Sequence, residues 1–404
     1  MSIVGIAALL GIAVAFSTSR RHINLRIVIS AFLLQALVAV CTLYLPIGVR
    51  AIEAMSQGVR AVIGYSRAGI DMVFGALVPP ADSIGSFAVT VLPVVIFFAS
   101  LMGVLYYLGI AQFFVRVLGA GIRAVVGTRS IESLNAAGNI FIGMTESPLI
   151  VKPYLARLSD AQIFTIMVSG MASIAGTVLA AYAGMGAKLE YLLAASFMAA
   201  PGGLLMAKVM MPDPTEASRD SVDDKLTLDD AREANVILAA ANGAAEGLKL
   251  AANIGAMLIA FVALIALLNG LIGGVGSLVG IADLTLEKIL GWVFSPLMFL
   301  LSVPWEEAQQ AGALFGEKLI LNEFVAFFHF GQIAADLSPR TQAIVTFSLC
   351  GFANLSSIAI MLGGLGILIP EKRELIGRFG LRALLAASLS NLMSAALAGM
   401  ILTT

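Results

Sequence analysis

Asn139-Ile-Phe-Ile-Gly-Met-Thr-Glu-Ser-Pro148 decides how this chain is read, because it sets one carboxylate, Glu146, inside an otherwise apolar run. A second run, Leu319-Ile-Leu-Asn-Glu-Phe-Val-Ala-Phe-Phe328, repeats the arrangement around Glu323 in the other half. A charged side chain at mid-bilayer costs about 2.5–3.5 kcal/mol, so carboxylates kept there usually have a function. The surroundings are lipid-like: 59% of residues are hydrophobic, 12% are charged, and the mean hydropathy is +0.97. Soluble domains carry roughly 25% charged residues. The chain therefore reads as an all-α polytopic membrane protein. Two acidic positions, each beside a helix breaker or an Asn, point to a polar substrate held near the midplane of a transporter.

A helix needs about 20 apolar residues to cross the hydrocarbon core. Charge-free stretches supply eight such spans: 2–19, 27–49, 83–115, 161–187, 191–207, 250–282, 341–370 and 383–404. Two further apolar pieces, around 130–155 and 285–330, are interrupted by charge, Pro or Gly. Interrupted segments at corresponding positions of two halves are the sequence mark of a transporter's binding site. Both are expected to be re-entrant helical hairpins with polar tips. Arg50–Asp71 and Arg116–Arg129 mix Arg with Val, Ile and Phe and read as helices lying on the interface. The Asp-rich stretch Met211–Arg232 reads as an extramembrane connector, followed by an amphipathic helix through Glu246 and Lys249. Trp292 and Trp305 read as interfacial anchors. The Arg20, Arg21 and Arg26 cluster belongs on the cytoplasmic side, which places the N-terminus outside. The Ile3–Phe16 run has no Lys or Arg before it and reads as a retained first span rather than a cleaved signal.

Other classes fit poorly. A net charge of −1 gives nucleic acid nothing to bind. Cys41 and Cys350 lie in apolar runs without disulfide or metal-ligand spacing, and neither histidine falls in a zinc-like pattern. HExxH and a Gly-x-Ser-x-Gly elbow are both missing, so an enzyme is not expected, nor an organic cofactor. A passive channel would want rings of like residues along a pore. A carrier of another small polar solute, such as a dicarboxylate or an amino acid, with the same two hairpins is the alternative; an anionic substrate would place like charges together in a low-dielectric site.

The chemistry of the runs is specific. Gly143 and Pro148 bracket Met144-Thr-Glu-Ser147, so regular helix cannot continue there. Broken helix at membrane depth is tolerated where its backbone groups face a cavity or ligand. Free carbonyls with the Asn139 amide oxygen suit a small hard cation, while Thr145 and Glu146 suit substrate hydroxyls; a Glu146–Lys152 ion pair is the plainer alternative. Ser173 and Gly176 sit in mid-span, where Ser most often bonds back to the carbonyl four residues earlier. Asn354 and Ser357 occupy neighbouring faces of one turn in Cys350-Gly-Phe-Ala-Asn-Leu-Ser-Ser357. Asn354 there is either a helix-packing contact or part of the site.

Three separated motifs then carry a resemblance over essentially the whole chain. Gly143-Met-Thr-Glu-Ser-Pro148 with Lys152-Pro-Tyr154, Asn322-Glu-Phe-Val-Ala326, and the Cys350–Ser357 run resemble the signatures of concentrative nucleoside transporters. The resemblance implies a homotrimer in a bacterial inner membrane that imports nucleosides with sodium, or alternatively protons, by an elevator mechanism. It implies a scaffold around a mobile transport domain with inverted-repeat elements. Residues 1–107 and 250–282 would be scaffold, 108–207 and 283–404 transport parts, and 208–249 a connector with an interfacial helix. Gly143, Met144, Thr145, Glu146 and Val178 match positions near the nucleobase; Glu323, Asn354 and Ser357 match positions facing base or ribose, and Phe352 lines the site. Asn139, Ser173 and the backbone carbonyls of Ile142 and Ile174 match the sodium site. At Met144 the chain departs from well-studied members, which have Gln, and a thioether cannot donate to a base edge.

Overall fold

In lipid every backbone polar group must find a partner within the protein, and helices satisfy that locally. The computed structural model accordingly shows helices and no strand among the described residues, which are 1–78, 86–213, 233–278, 280–281 and 283–402. The chain opens with α1 (Ser2–Ala15) and α2 (Leu25–Leu43), the latter capped by Asn24, whose side chain accepts from Arg26 N and Ile27 N. Next come α3 (Pro46–Phe74), α4 (Phe87–Thr90), α5 (Leu92–Tyr107) and α6 (Ile110–Val126). Helix α6 buries Ala111, Val115, Gly119, Ile122 and Val126 on one face and exposes Phe113, Phe114 and Val117 on another. In the same way α3 buries Ile52, Ser56, Ser66 and Ile70 while Ile47 and Met72 stay exposed. The charged residues stay exposed on both, Arg116 and Arg123 on α6 and Arg50, Glu53, Arg60 and Arg67 on α3, which matches the amphipathic reading.

From here the order of elements occurs twice. The first pass is α6, α7 (Ser130–Gly138), an irregular tip, α8 (Ser147–Ile150), α9 (Asp160–Ala172), a break, α10 (Gly176–Gly184) and α11 (Leu189–Met210). After α12 (Val236–Leu278) the second pass runs α13 (Leu286–Leu300), α14 (Trp305–Ile320), a tip, α15 (Glu323–Ile333), α16 (Pro339–Leu349), a break, α17 (Leu355–Leu368) and α18 (Arg373–Ile401). Serine caps start both broken spans: Ser159 accepts from Gln162 N, and Ser338 from Thr341 N. The eight expected spans correspond to α1, α2, α5, α9–α10, α11, α12, α16–α17 and α18.

Three details differ from the sequence reading. The spans 161–187 and 341–370 are each two half-helices, a division the sequence does not show because neither a charge nor a proline marks where the halves part. The second hairpin's tip lies between α14 and α15 at Leu321–Asn322; α13 is a separate helix, bent by 117° from α14 across the turn with Ser302 and Pro304. Helix α12 runs unbroken for 43 residues, so Glu246 and Lys249 lie on it rather than on a separate interfacial helix. At 1.5 Å per residue it is about 65 Å long, twice the hydrocarbon thickness. Most of the connector, residues 214–232, lies outside the described residues.

Helices α9, α11 and α18 form the buried centre, while α2 and α12 turn apolar residues such as Leu33, Leu37, Ile259 and Leu267 outward. Helices α5 and α12 pack closely and antiparallel. A Cβ at Gly103 would lie 2.6 Å from Ala239 O, and one at Gly243 would lie 2.5 Å from Ala99 O. Ser100 Oγ donates to Ala240 O (2.9 Å). Without a hydrophobic drive between helices in lipid, close approach through small residues is what holds such a pair.

Candidate functional site

The first tip is tied to the first break. Helix α7 stops at Asn139, whose Nδ2 donates back to Asn135 O (3.0 Å) while its Oδ1 accepts from Ser147 Oγ (2.7 Å). Glu146 turns inward on its own tip: Oε2 accepts from Gly143 N (2.6 Å) and Oε1 from Thr145 Oγ1 (3.4 Å). No Lys152–Glu146 ion pair occurs among the described residues. Gly176 N donates to Phe141 O (3.1 Å), and a Cβ at Gly176 would lie 2.9 Å from that oxygen, so the approach needs glycine. Ser173 is extended at the end of α9 and donates from Oγ to Gly170 O (3.2 Å), three residues back rather than four. The tip also leans on α9 and α17. Cβ atoms placed at Gly170 and Gly364 would each lie 2.9 Å from Met144 Cβ and Thr145 Cγ2, respectively.

The second tip meets the second break. Asn322 caps α15 by accepting from Val325 N (2.9 Å), which leaves Glu323 as the first helical residue. Glu323 is 3% exposed; Tyr182 Oη donates to its Oε1 (3.1 Å) and Asn354 Nδ2 to its Oε2 (2.8 Å). Asn354 caps α17, its Oδ1 accepting from Ser357 N (2.9 Å) and Ser356 Oγ (2.6 Å). The Ser357 hydroxyl lies between Asn354 Oδ1 and the Phe352 carbonyl. Asn354 is therefore a cap and a carboxylate partner at once. Phe352 N donates to Ser173 O (3.1 Å), so the two breaks cross and are bonded to each other. Val178 is buried one turn into α10.

The electrostatics follow from the breaks. The N-termini of α10, α15 and α17 bring positive dipole ends to the crossing, and the C-termini of α9 and α16 bring carbonyls that lack an intrahelical partner. The amide oxygen of Asn139, the Ser173 hydroxyl and the carbonyls of Ile142 and Ile174 are neutral, hard oxygen donors that suit a monovalent cation of sodium's size. No group of His, Cys, Asp and Glu able to hold a metal ion occurs among the described residues.

Several partners were not visible in the sequence. Tyr182 stacks on Phe327 at 4.5 Å and aims its hydroxyl at Glu323, a contact across 141 residues. Lys318 and Asn391 meet at 2.8 Å between the breaks. Lys208 donates to Glu132 Oε1 (2.6 Å) and Asp213 Oδ2 (2.7 Å), tying the end of α11 to α7, and His329 pairs with Glu317 at 2.8 Å. Their only local sign was a polar residue in or beside an apolar run.

Two half-broken spans crossed beneath two carboxylate-bearing tips define a secondary carrier, and similarity gives the family. Residues 191–399 match the pattern described as Na+ dependent nucleoside transporter C-terminus, residues 4–77 its N-terminus, and residues 88–189 the Gate pattern of nucleoside recognition. The chain belongs to the Na+-dependent nucleoside transporters, and it is a multi-pass membrane carrier, not an enzyme. It is 46% identical to the nucleoside permease NupC of Helicobacter pylori over 99% of this chain and 97% of that one. It is 36% identical to mouse sodium/nucleoside cotransporter 1, covering 99% of this chain and 63% of the mouse protein. The structure of CNTnw in an inward-facing substrate-bound state superposes with a TM-score of 0.93 at 47% identity, covering 99% and 98% of the two chains. A variant of CNTnw in an outward-facing state gives a TM-score of 0.92 at 46% identity, covering 99% and 97%.

Proposed function

We propose that a nucleoside binds at the crossing of the two broken spans, its ribose on Glu323, Asn354 and Ser357. Its base lies along Gly143, Met144, Thr145, Glu146 and Val178, with Phe352 lining the site. Sodium sits beside it on Asn139, Ser173 and the carbonyls of Ile142 and Ile174. The function is sodium-coupled symport of nucleosides by alternating access. The observation that carries the assignment is the Phe352 N–Ser173 O bond, which makes cation ligands and substrate ligands parts of one crossing.

The physical sequence is short. Sodium orders the first tip against the first break, which in turn orders the second break and its hydroxyl-binding face. One charge moving down 100 mV releases about 2.3 kcal/mol, enough for roughly fiftyfold accumulation. The residues of 108–207 and 283–404 move as the transport part. The glycine-seamed α5–α12 pair serves as scaffold in an elevator, within a homotrimer of the bacterial inner membrane and with the N-terminus outside. The packing of α5 on α12 supports the scaffold reading, and the Arg20, Arg21 and Arg26 cluster supports an outside N-terminus; the homotrimer and the inner membrane rest on the family resemblance. Counterflow of radiolabelled uridine or adenosine into proteoliposomes, driven by a sodium gradient or by a pH gradient, is the test. Uptake should follow sodium; uptake that ignores sodium and follows pH would assign the coupling to protons, and uptake no greater than in empty vesicles would end the proposal.

A further inference from the structure

Breaking a helix strands its last carbonyls, and both breaks here are closed by one side chain from a third element. Asn391, on α18 and 2% exposed, donates from Nδ2 to Ala172 O (2.6 Å) and to Cys350 O (2.7 Å). Ala172 immediately precedes Ser173, a proposed sodium ligand; Cys350 opens the segment that ends in Asn354. The remaining atom, Asn391 Oδ1, accepts from Lys318 Nζ (2.8 Å), which also donates to Ser348 O (2.7 Å) at the end of α16. Lys318 is fully buried, five residues before Glu323 in the chain. A flipped amide would set its NH2 against the ammonium and its oxygen against two carbonyls, so Lys318 fixes which way Asn391 points. Gly351 leaves the room: a Cβ there would collide with the Asn391 amide.

The two carbonyls belong to two different breaks, one beside the cation and one beside the substrate. A single rigid amide reaches both only when both breaks hold their ordered arrangement, so ordering either one favours the other. From this geometry, and resting on the sodium and nucleoside sites proposed above, we infer that Asn391, oriented by Lys318, carries the thermodynamic coupling between cation and nucleoside. Both are positioning residues; neither touches ligand.

Coupling is read as the ratio of uridine Kd in choline to uridine Kd in saturating sodium, measured by titration calorimetry on purified protein. Asn391→Asp keeps an oxygen for Lys318 and loses both donors; Lys318→Met frees the amide to turn. Each should pull the ratio toward one, by at least about fivefold, the lower end of ordinary allosteric coupling. The double variant should fall no further, because the two act as one unit. Ser388→Ala, on the same helix at a hydroxyl with no hydrogen-bond partner among the described residues, should leave the ratio unchanged. Monodisperse elution shows which variants fold, and either single variant decides the matter alone. Weaker uridine binding at both sodium levels with an unchanged ratio overturns the inference and leaves a structural brace. Asn139→Leu separates the two proposals: it should abolish sodium enhancement, and if it does not, the sodium site itself is misplaced and the inference falls with it.

Discussion

Replacing Glu323 by Gln tests the nucleoside site at a buried carboxylate. The carboxylate has about four lone-pair positions, of which Tyr182 Oη and Asn354 Nδ2 occupy one on each oxygen. Two remain for ribose hydroxyls. Gln has nearly the same volume, and its amide can still fit: Oε1 accepts from Asn354, while the NH2 donates to the Tyr182 hydroxyl, which rotates to accept. Folding is therefore preserved, but one free acceptor and the negative charge are gone. A hydrogen bond to a charged group contributes about 1.5–3 kcal/mol, so uridine Kd should rise roughly ten- to 150-fold. Tyr182→Phe removes one orienting bond and leaves the charge, and should cost about 1 kcal/mol, roughly fivefold. Calorimetry of uridine in saturating sodium, beside thermal unfolding of each variant, separates binding from folding. Glu323→Gln binding uridine as tightly as the parent would refute the role given to this carboxylate.

Met144 is 5% exposed and packed at Gly170; Met144→Gln, which restores a donor at the tip, should raise the preference for uridine over adenosine by about fivefold, the value of one neutral hydrogen bond. An unchanged affinity ratio in parallel titrations would remove Met144 from base recognition. In the α5–α12 seam, Gly243→Leu must part helices where a Cβ already meets Ala99 O at 2.5 Å, and overpacking of this kind costs about 1–3 kcal/mol. Its thermal midpoint should drop, while Gly270→Ala, at a site with no neighbour within 4 Å, should melt like the parent; equal midpoints would mean the seam does not stabilise the pair.

Composition and the two acidic runs were enough to read a helical membrane carrier and to pick out the runs in which its site is proposed. Those readings rest on local chemistry: a bilayer excludes charge, so every retained carboxylate, Asn or breaker stands out against Leu, Ile and Val. Asn139, Glu146, Glu323 and Asn354 were legible for that reason. The broken middles of 161–187 and 341–370 were not, because neither a charge nor a proline lies at the break. What ends the helices there is a partner that offers better bonds, Asn391 for Ala172 O and Cys350 O and the Phe352 amide of the crossing break for Ser173 O. Tertiary structure alone decided that Glu146 folds onto its own Gly143 while Glu323 is held by Tyr182 and Asn354. It also decided that α13 stands apart from the second tip. Glu323 is held by residues far away in the chain, whereas Glu146 reaches back only three residues; in both cases hydropathy records the medium a residue prefers, not the group it will meet there.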